Sequence, residues 1–459
     1  MRVLTLNGSP HGNNGVTAQY IKYLEIKFPK YTFKTIEVAR KIKNLEKDTD
    51  FFNEVLQQIN NADAIIWAFP VYTMLVPSQL KLFIELLFQR NGKKVLEGKI
   101  ATGISTSANF YDHTTHDYVH GISTDLGLRY VRGFSAEMKD ILFEEGRNNF
   151  LGFAKDFFWK VNENNIFEDR TVPAIKWEPS DLSKITLPKV VEKTGDKKIV
   201  IVSDANPEDA NLLKMIELFE IQVSHKVERI EIKDTNIKGG CIGCLRCGNG
   251  DACFYKDEYA EAFKKVQNAD VVIYAGAIKD RYFSARFKKF IDRYFSNGHR
   301  HVLKAGLFGY IVSGPLNQLA SMRETLEANI EIGRHQRLGI VSDEHSDPNV
   351  TANNIKNTVQ FLEHWIKNTH WQTSPTFLGV GGHKIFRDLV YENRGVMCAD
   401  YRFYKEKGLL DFPNRSYFNR FVSKILLIVQ RIPAMQKEFK KNINNNRLKP
   451  YRKMLEKVE

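Results

Sequence analysis

Four of the five cysteines fall in the thirteen residues from 241 to 253. Cys241, Cys244, Cys247 and Cys253 have the spacing C-x2-C-x2-C-x5-C inside the glycine-rich stretch Gly239-Gly240-Cys241-Ile242-Gly243-Cys244 to Cys253. Thiolates two residues apart on such a turn can point at one centre, because glycine lets the backbone fold tightly around it. A four-iron cubane takes four thiolates, and so does a single zinc ion, although zinc sites usually pair their Cys-x2-Cys units across a longer separation. A loop without metal is the third reading. Cys398 lies far off in the sequence and is read as a small buried residue. A second chemistry is written near the N-terminus, where Asn7-Gly8-Ser9-Pro10-His11-Gly12-Asn13-Asn14-Gly15-Val16-Thr17 joins an apolar strand to a helical pattern, Ala18 to Phe28. Free backbone N–H groups, a helix dipole and the hydroxyls of Ser9 and Thr17 favour an anion there. No Gly-Lys-Ser/Thr closes this loop and the dinucleotide-binding glycine spacing is absent, so a plain strand-to-helix turn is the competing reading.

The elements that must position these residues read as alternating strands and helices. Asn61-Ala62-Asp63 opens the buried strand Ala64 to Phe69, followed by Pro70-Val71-Tyr72-Thr73-Met74-Leu75-Val76-Pro77-Ser78-Gln79-Leu80-Lys81-Leu82-Phe83-Ile84-Glu85. A further strand, Ile100 to Ile104, ends in Ser105 to Tyr111, at the edge where open α/β sheets bind ligands. His113, His116 and His120 nearby suggest a metal triad by spacing, but a solvated helix face or the lining of a cofactor site is the preferred reading. Periodicity fades between Glu168 and Gly195, and then the pattern returns. Lys198 to Val202 is a new first strand, and Asn268-Ala269-Asp270-Val271-Val272-Ile273-Tyr274 lies over Asn61 to Trp67 at an offset of 207. Phe287-Lys288-Lys289-Phe290-Ile291-Asp292 continues that match over Leu80 to Glu85, whereas the two first strands align at 196, so the second half has gained eleven residues where the cysteines sit. The halves also differ in chemistry. Asp204-Ala205-Asn206-Pro207-Glu208-Asp209 replaces the first half's anion loop, and three carboxylates would repel a phosphate dianion. Pro70, Tyr72 and Pro77 become Ala277, Lys279 and Ser284, so the turn after the third strand is expected to be lost there.

The first loop together with Pro-x-Tyr-x4-Pro-x2-Leu-Lys-x-Phe-Ile resembles the flavodoxin-like NAD(P)H-dependent FMN reductase and iron–sulfur flavoprotein family. The resemblance implies an α/β fold of two tandem flavodoxin-like, doubly wound parallel sheets, with a helical basic C-terminal extension. It implies that Ser9, His11, Asn14 and Thr17 hold the FMN phosphate, that Pro70, Val71, Tyr72, Thr73 and Met74 lie against the flavin ring, and that Thr106, Ser107 and Asn109 flank it. The family often has Arg where this chain has His11. Members termed iron–sulfur flavoproteins carry a compact four-cysteine loop, so Cys241, Cys244, Cys247 and Cys253 are implied ligands of a [4Fe–4S] cluster, with zinc or no metal as alternatives. The implied activity is NAD(P)H-dependent flavin oxidoreduction, with electrons passing between FMN in the first domain and the cluster in the second. A flavin-only NAD(P)H:quinone or FMN reductase with a structural cysteine loop, and a one-electron carrier that is not an enzyme, are the alternatives. Family members assemble as homodimers or tetramers, so a pseudo-dimer within one chain, or a homodimer, is expected.

The boundaries drawn from this pattern are an FMN-binding domain at 1–170, a linker at 171–195, a second domain with a degenerate flavin site at 196–370, and the extension at 371–459. At 459 residues, 43% hydrophobic and 26% charged, the chain is long enough for several cores. The first apolar run stops at Asn7-Gly8-Ser9-Pro10, so no secretory leader is expected, and clustered cysteines suit the reducing cytoplasm. A net charge of +13 favours anionic partners: the nicotinamide cofactor and a small redox acceptor or redox protein are expected, nucleic acid is not. Gly379-Val380-Gly381-Gly382-His383-Lys384 reads as a glycine turn, and Phe386 to Met397 as aromatic packing at helical spacing. Phe418 to Lys457 reads as a basic amphipathic helix and basic tail, for packing on the core or docking on an anionic membrane surface.

Overall fold

The computed structural model describes residues 1–166, 172–368, 374–413, 417–429 and 432–457. The expected boundaries at 170 and 371 fall outside the described residues. Strands β1 (Arg2–Asn7), β2 (Thr32–Ile36), β3 (Ala64–Pro70), β4 (Ile100–Ser107) and β5 (Arg129–Glu137) form one wholly parallel sheet in the order β2-β1-β3-β4-β5. The near-continuous apolar runs of β3 and β4 follow from this position, since central parallel strands are covered on both faces. Strands β6 (Gly195–Ser203), β7 (His225–Glu231), β8 (Val271–Lys279), β10 (Leu307–Ser313) and β11 (Gln336–Ser342) repeat the order as β7-β6-β8-β10-β11, again all parallel. The two-residue β9 (Tyr282–Phe283) pairs antiparallel with β8. This is the flavodoxin-like order twice over, and it sets the switch point beside the first strand of each sheet. Between the sheets, residues 172–194 contain only a short 3-10 turn, Leu182–Lys184. They are pinned to the second half all the same, Leu182 being fully buried and Gln318 bonding both the N–H and the C=O of Lys176.

The halves meet through helices Ser78–Gln89 and Ala285–Asp292 in a reciprocal arrangement. The Ala285 N–H donates to Glu85 Oε1 at 2.6 Å, and the equivalent Ser78 N–H donates to Asp292 Oδ2 at 2.7 Å. Lys81 Nζ donates to the Lys279 carbonyl at 3.0 Å, and the equivalent Lys288 Nζ to the Tyr72 carbonyl at 2.8 Å. Every residue is replaced by its counterpart 207 positions on, as in an isologous two-fold contact. Each carboxylate also pairs with the lysine one turn earlier on its own helix, and each caps the free N–H groups of the opposite helix. The conserved-looking Lys-x-Phe-Ile-acid pattern is therefore interface machinery. One apolar core runs across both halves, taking Trp67, Phe83 and Leu80 from the first and Tyr274, Phe287 and Phe308 from the second.

The compact unit runs from Met1 to Tyr404. It therefore takes in helix Phe377–Glu392 and the first turns of helix Cys398–Glu406. The expected glycine turn at 379–384 is part of the first of these helices. Gly379 and Gly382 lie on the side facing helix Ala320–Ile332, and a Cβ on Gly382 would fall 2.6 Å from Ile332 Cδ1. The glycines serve close helix packing and leave no anion cradle. A second unit, Lys405–Glu459, holds helices Tyr417–Val429 and Pro433–Leu455, the latter started by proline at its first position. Phe421, Leu427 and Ile428 are exposed on the former. Among the described residues no helix is long and apolar enough to cross a membrane.

Candidate functional site

The first wall of the site is the loop after β1. Ser9 is buried, its N–H held by Asn7 Oδ1 at 3.0 Å, and its own Oγ accepts from the His11 N–H at 3.3 Å. Helix Val16–Lys27 starts from Gly15 with no side-chain cap, which leaves its first N–H groups available. Thr17 Oγ1 lies 2.6 Å from Thr106 Oγ1, tying this loop to the end of β4. The second wall is the turn after β3. Tyr72 and Leu75 exchange both backbone bonds, at 2.7 and 3.1 Å, around Thr73 (φ 47°) and Met74 (φ 64°). Two successive left-handed non-glycine residues are strained by about 1–2 kcal/mol each. The other half supports them: Asp292 Oδ1 accepts from Thr73 Oγ1 at 2.9 Å, and Lys288 holds the Tyr72 carbonyl.

The third wall comes from the second half. The His11 Nε2–H donates to the Gly243 carbonyl at 3.1 Å, and Gln79 Nε2 to the Cys241 carbonyl at 3.2 Å. Gly243 (φ +69°) passes so close to the first half that a Cβ would fall 2.3 Å from Tyr72 Oη. The cysteine loop thus lies on the first half's β1 loop and on the turn after β3. Ser9, His11, Thr17, Pro70 to Met74, Thr106 and Ser107 line one cavity of about 460 Å³, which Cys241, Cys244, Cys247 and Cys253 line as well. Asn14 and Asn109 are exposed and do not line it. Phe110, Phe295, Arg293, His299 and Phe386 line it too and were not singled out in the sequence. The histidines of helix Asp112–Asp125 diverge: His113 pairs with Glu324, His116 bonds Ser105 Oγ at 2.8 Å, and His120 stacks on Tyr130.

The equivalent region of the second half is filled. Arg286 donates to the Asp204 carboxylate, to its carbonyl at 3.0 Å and to Asn206 Oδ1 at 2.8 Å, while Ser284 Oγ donates to the same carboxylate. An internal ion pair thus occupies this loop, and it neutralises one of the three carboxylates, that of Asp204. The turn expected to be lost persists in backbone: Asp280 (φ 48°) and Arg281 (φ 62°) repeat Thr73 and Met74. Only the side chains have changed, Arg281 now forking onto Asp125 at 2.6 and 2.8 Å.

The four thiols differ in setting. Cys244 is exposed, while burial pushes the Cys241 thiol up to about 12 and raises that of Cys247. Burial, with Cys241 alongside, also raises the Tyr72 phenol. Arg293 lies beside Cys253, 2% exposed, its fork spent on Asp257 at 2.8 and 3.0 Å. Its Nε–H is buried and has no partner in the protein. Arg293 thus sets a buried cation with an unspent donor beside Cys253, and four thiolates are the donor set of a four-iron cluster. Among the described residues no three His, Cys, Asp or Glu side chains stand together as a metal-ion site. Cys398, expected to be a small buried residue, is only half-buried, and its Sγ lies 3.4 Å from Asn249 Oδ1 on the cysteine loop.

Comparison with known proteins agrees with this geometry. The model of the NADPH-dependent FMN reductase family matches residues 1–135. An iron–sulfur flavoprotein of Archaeoglobus fulgidus is 27% identical over 212 residues, covering 44% of this chain and 94% of that protein. Among solved structures, an NADH:FMN oxidoreductase is 19% identical over 35% of this chain and 89% of its own, with a TM-score of 0.31. An FMN-dependent NADH-azoreductase from Bacillus anthracis is 15% identical over 36% of this chain and 99% of its own, with a TM-score of 0.28. Residues 1–135 are thus similar to the NADPH-dependent FMN reductase family, and nearly half of the chain is similar to an iron–sulfur flavoprotein.

Proposed function

We propose that the chain is an NAD(P)H-dependent flavin oxidoreductase that holds FMN in its first half and a [4Fe–4S] cluster on Cys241, Cys244, Cys247 and Cys253 of its second. The observation that carries this reading is the shared cavity: the four cysteines and the candidate FMN residues face the same space, joined by the bond from His11 to Gly243. When bound, FMN supplies the junction between hydride donors and one-electron acceptors, and the cluster supplies single-electron transfer. The N–H groups at the start of helix Val16–Lys27 and the hydroxyls of Ser9 and Thr17 would hold the phosphate. The strained Tyr72–Leu75 turn would lie against the flavin ring, kept in place by Lys288 and Asp292. Asn14 and Asn109 have no part in this assignment. In the second half, Arg286 fills the corresponding cradle, which supports one FMN per chain.

The test is one anaerobic preparation, reconstituted with iron and sulfide and then titrated with NADPH. One FMN, four irons and four acid-labile sulfides per chain, with flavin bleaching on NADPH addition, is the expected result. Bleaching by NADPH without iron would leave a flavin-only reductase with a structural cysteine loop. Bleaching by dithionite but not by NADPH would make the chain a carrier.

A further inference from the structure

His299 belongs to no motif of either half, yet the fold brings it to the flavin cavity from two sides. It follows the 3-10 turn Arg293–Asn297, whose Phe295 packs edge-on against Tyr72 at 5.5 Å between centroids. On its other side the His299 ring meets Phe386 at 4.8 Å, and Phe386 stacks on Phe110 at 4.1 Å, just beyond the end of β4. His299 therefore stands between the ring turn and the β4 loop, and it lines the cavity that Tyr72, Thr106 and Cys247 line.

A fully buried carboxylate holds it there. Asp400 Oδ2 accepts from the His299 N–H at 3.1 Å and from Nδ1 at 3.0 Å, while Oδ1 pairs with Arg300 Nε at 3.3 Å. Donation from Nδ1 fixes the tautomer and leaves Nε2 for the cavity. The charged and titratable groups around this pair are Arg300, Cys247, His301 and Tyr404. Three other candidate proton donors on the cavity wall are less available. His11 Nε2 is spent on Gly243, and burial raises the Tyr72 phenol and holds His301 neutral down to about 4.

We infer that the His299–Asp400 pair delivers the proton needed when a two-electron acceptor is reduced in this cavity, an inference that rests on the FMN and NAD(P)H reading above. The balance is NAD(P)H plus A plus a proton giving NAD(P)⁺ plus AH₂. The nicotinamide C–H bond breaks with its electron pair, which reaches the acceptor through the flavin as a hydride equivalent. The second hydrogen comes from His299 Nε2 as a proton, and the neutral imidazole takes another from solvent. Asp400 is the positioning residue. It lies beyond both sheets, which gives helix Cys398–Glu406 a role at the site that neither half supplies alone.

The test uses the full-length, FMN-loaded protein driven by NADPH, with two probes. Reduction of 2,6-dimethyl-1,4-benzoquinone needs protons, whereas ferricyanide takes electrons alone. In His299→Gln the ratio of quinone rate to ferricyanide rate should fall about 100-fold, the lower end of general-acid contributions. The solvent isotope effect on the quinone reaction should change with it. Asp400→Asn should lower the ratio by a smaller factor, which a purely structural role for the pair would not do. Equal loss with both probes, or an unchanged ratio in His299→Gln, would overturn the inference. A wild-type protein that reduces neither probe would overturn the functional reading, and this inference with it.

Discussion

His11 shows how the site is assembled from single residues. It spends its Nε2–H on the Gly243 carbonyl, so one imidazole links the loop after β1 to the cysteine loop. His11→Ala should weaken FMN binding about tenfold, the worth of one hydrogen bond of roughly 1.4 kcal/mol. It should also speed iodoacetamide reaction at the cysteine loop. FMN fluorescence quenching and peptide mass spectrometry read the two effects, and no change in either would sink the link. In the cluster-free wild type, Cys244 should react first, because it is exposed, and Cys241 last, because it is half-buried and its thiol is pushed up to about 12. Much of this site was legible in the sequence. Pro70 to Met74, Thr106, Ser107 and the four cysteines sit at strand ends or on one short loop, where local spacing carries the information. Asn14 and Asn109 lie in equally local stretches but face solvent. Phe386, His299 and Asp400 were not legible, because each reaches the cavity only through contacts between elements far apart in sequence, such as Phe110 with Phe386.

At the scale of elements, the sequence repeat predicts two like sheets but says nothing of how they meet. The reciprocal bonds of Glu85 and Asp292 across helices Ser78–Gln89 and Ala285–Asp292 supply that contact. Lys288 and Asp292 are fully buried, so truncating either leaves its partner charged and uncompensated. Asp292→Ala should therefore cost about 3–5 kcal/mol. It also frees the Ser78 N–H and the Thr73 hydroxyl, so the ring turn should loosen and FMN affinity fall. The double variant Lys288→Met with Asp292→Leu removes both charges and should cost less than Asp292→Ala alone. Urea unfolding of the three proteins checks the order. A double variant less stable than Asp292→Ala would mean that the pair itself, and not the stranded lysine, supplies the stability. The same geometry explains one expectation that failed. The turn at 279–282 keeps its left-handed residues without the flavin-facing side chains, because Lys81 holds the Lys279 carbonyl as Lys288 holds that of Tyr72.

For the molecule as a whole, the shared core makes residues 1–404 a single compact unit, so histidines anywhere in it tax the same unfolding equilibrium. His116, His301 and His335 are each lowered to about 4, in every case chiefly by burial. Unfolded, each titrates near the ordinary value of about 6.5. Between those two pH values the unfolded chain binds protons that the folded chain refuses, so stability falls as the pH drops through about 6.5 and stops falling from this cause below about 4. Each histidine contributes a slope of up to about 1.4 kcal/mol per pH unit within that window. His335 donates from Nδ1 to the Ala305 carbonyl at 2.7 Å and also lines the cavity, so its titration is read in the cofactor-free proteins. His335→Gln should be less stable than wild type at pH 7.5 through imperfect replacement of that bond. The gap should narrow as the pH is lowered to 5, because glutamine has no proton to refuse. Urea midpoints of the cofactor-free proteins at both pH values decide it: a gap that stays constant or widens would show that His335 does not titrate on unfolding as its burial requires.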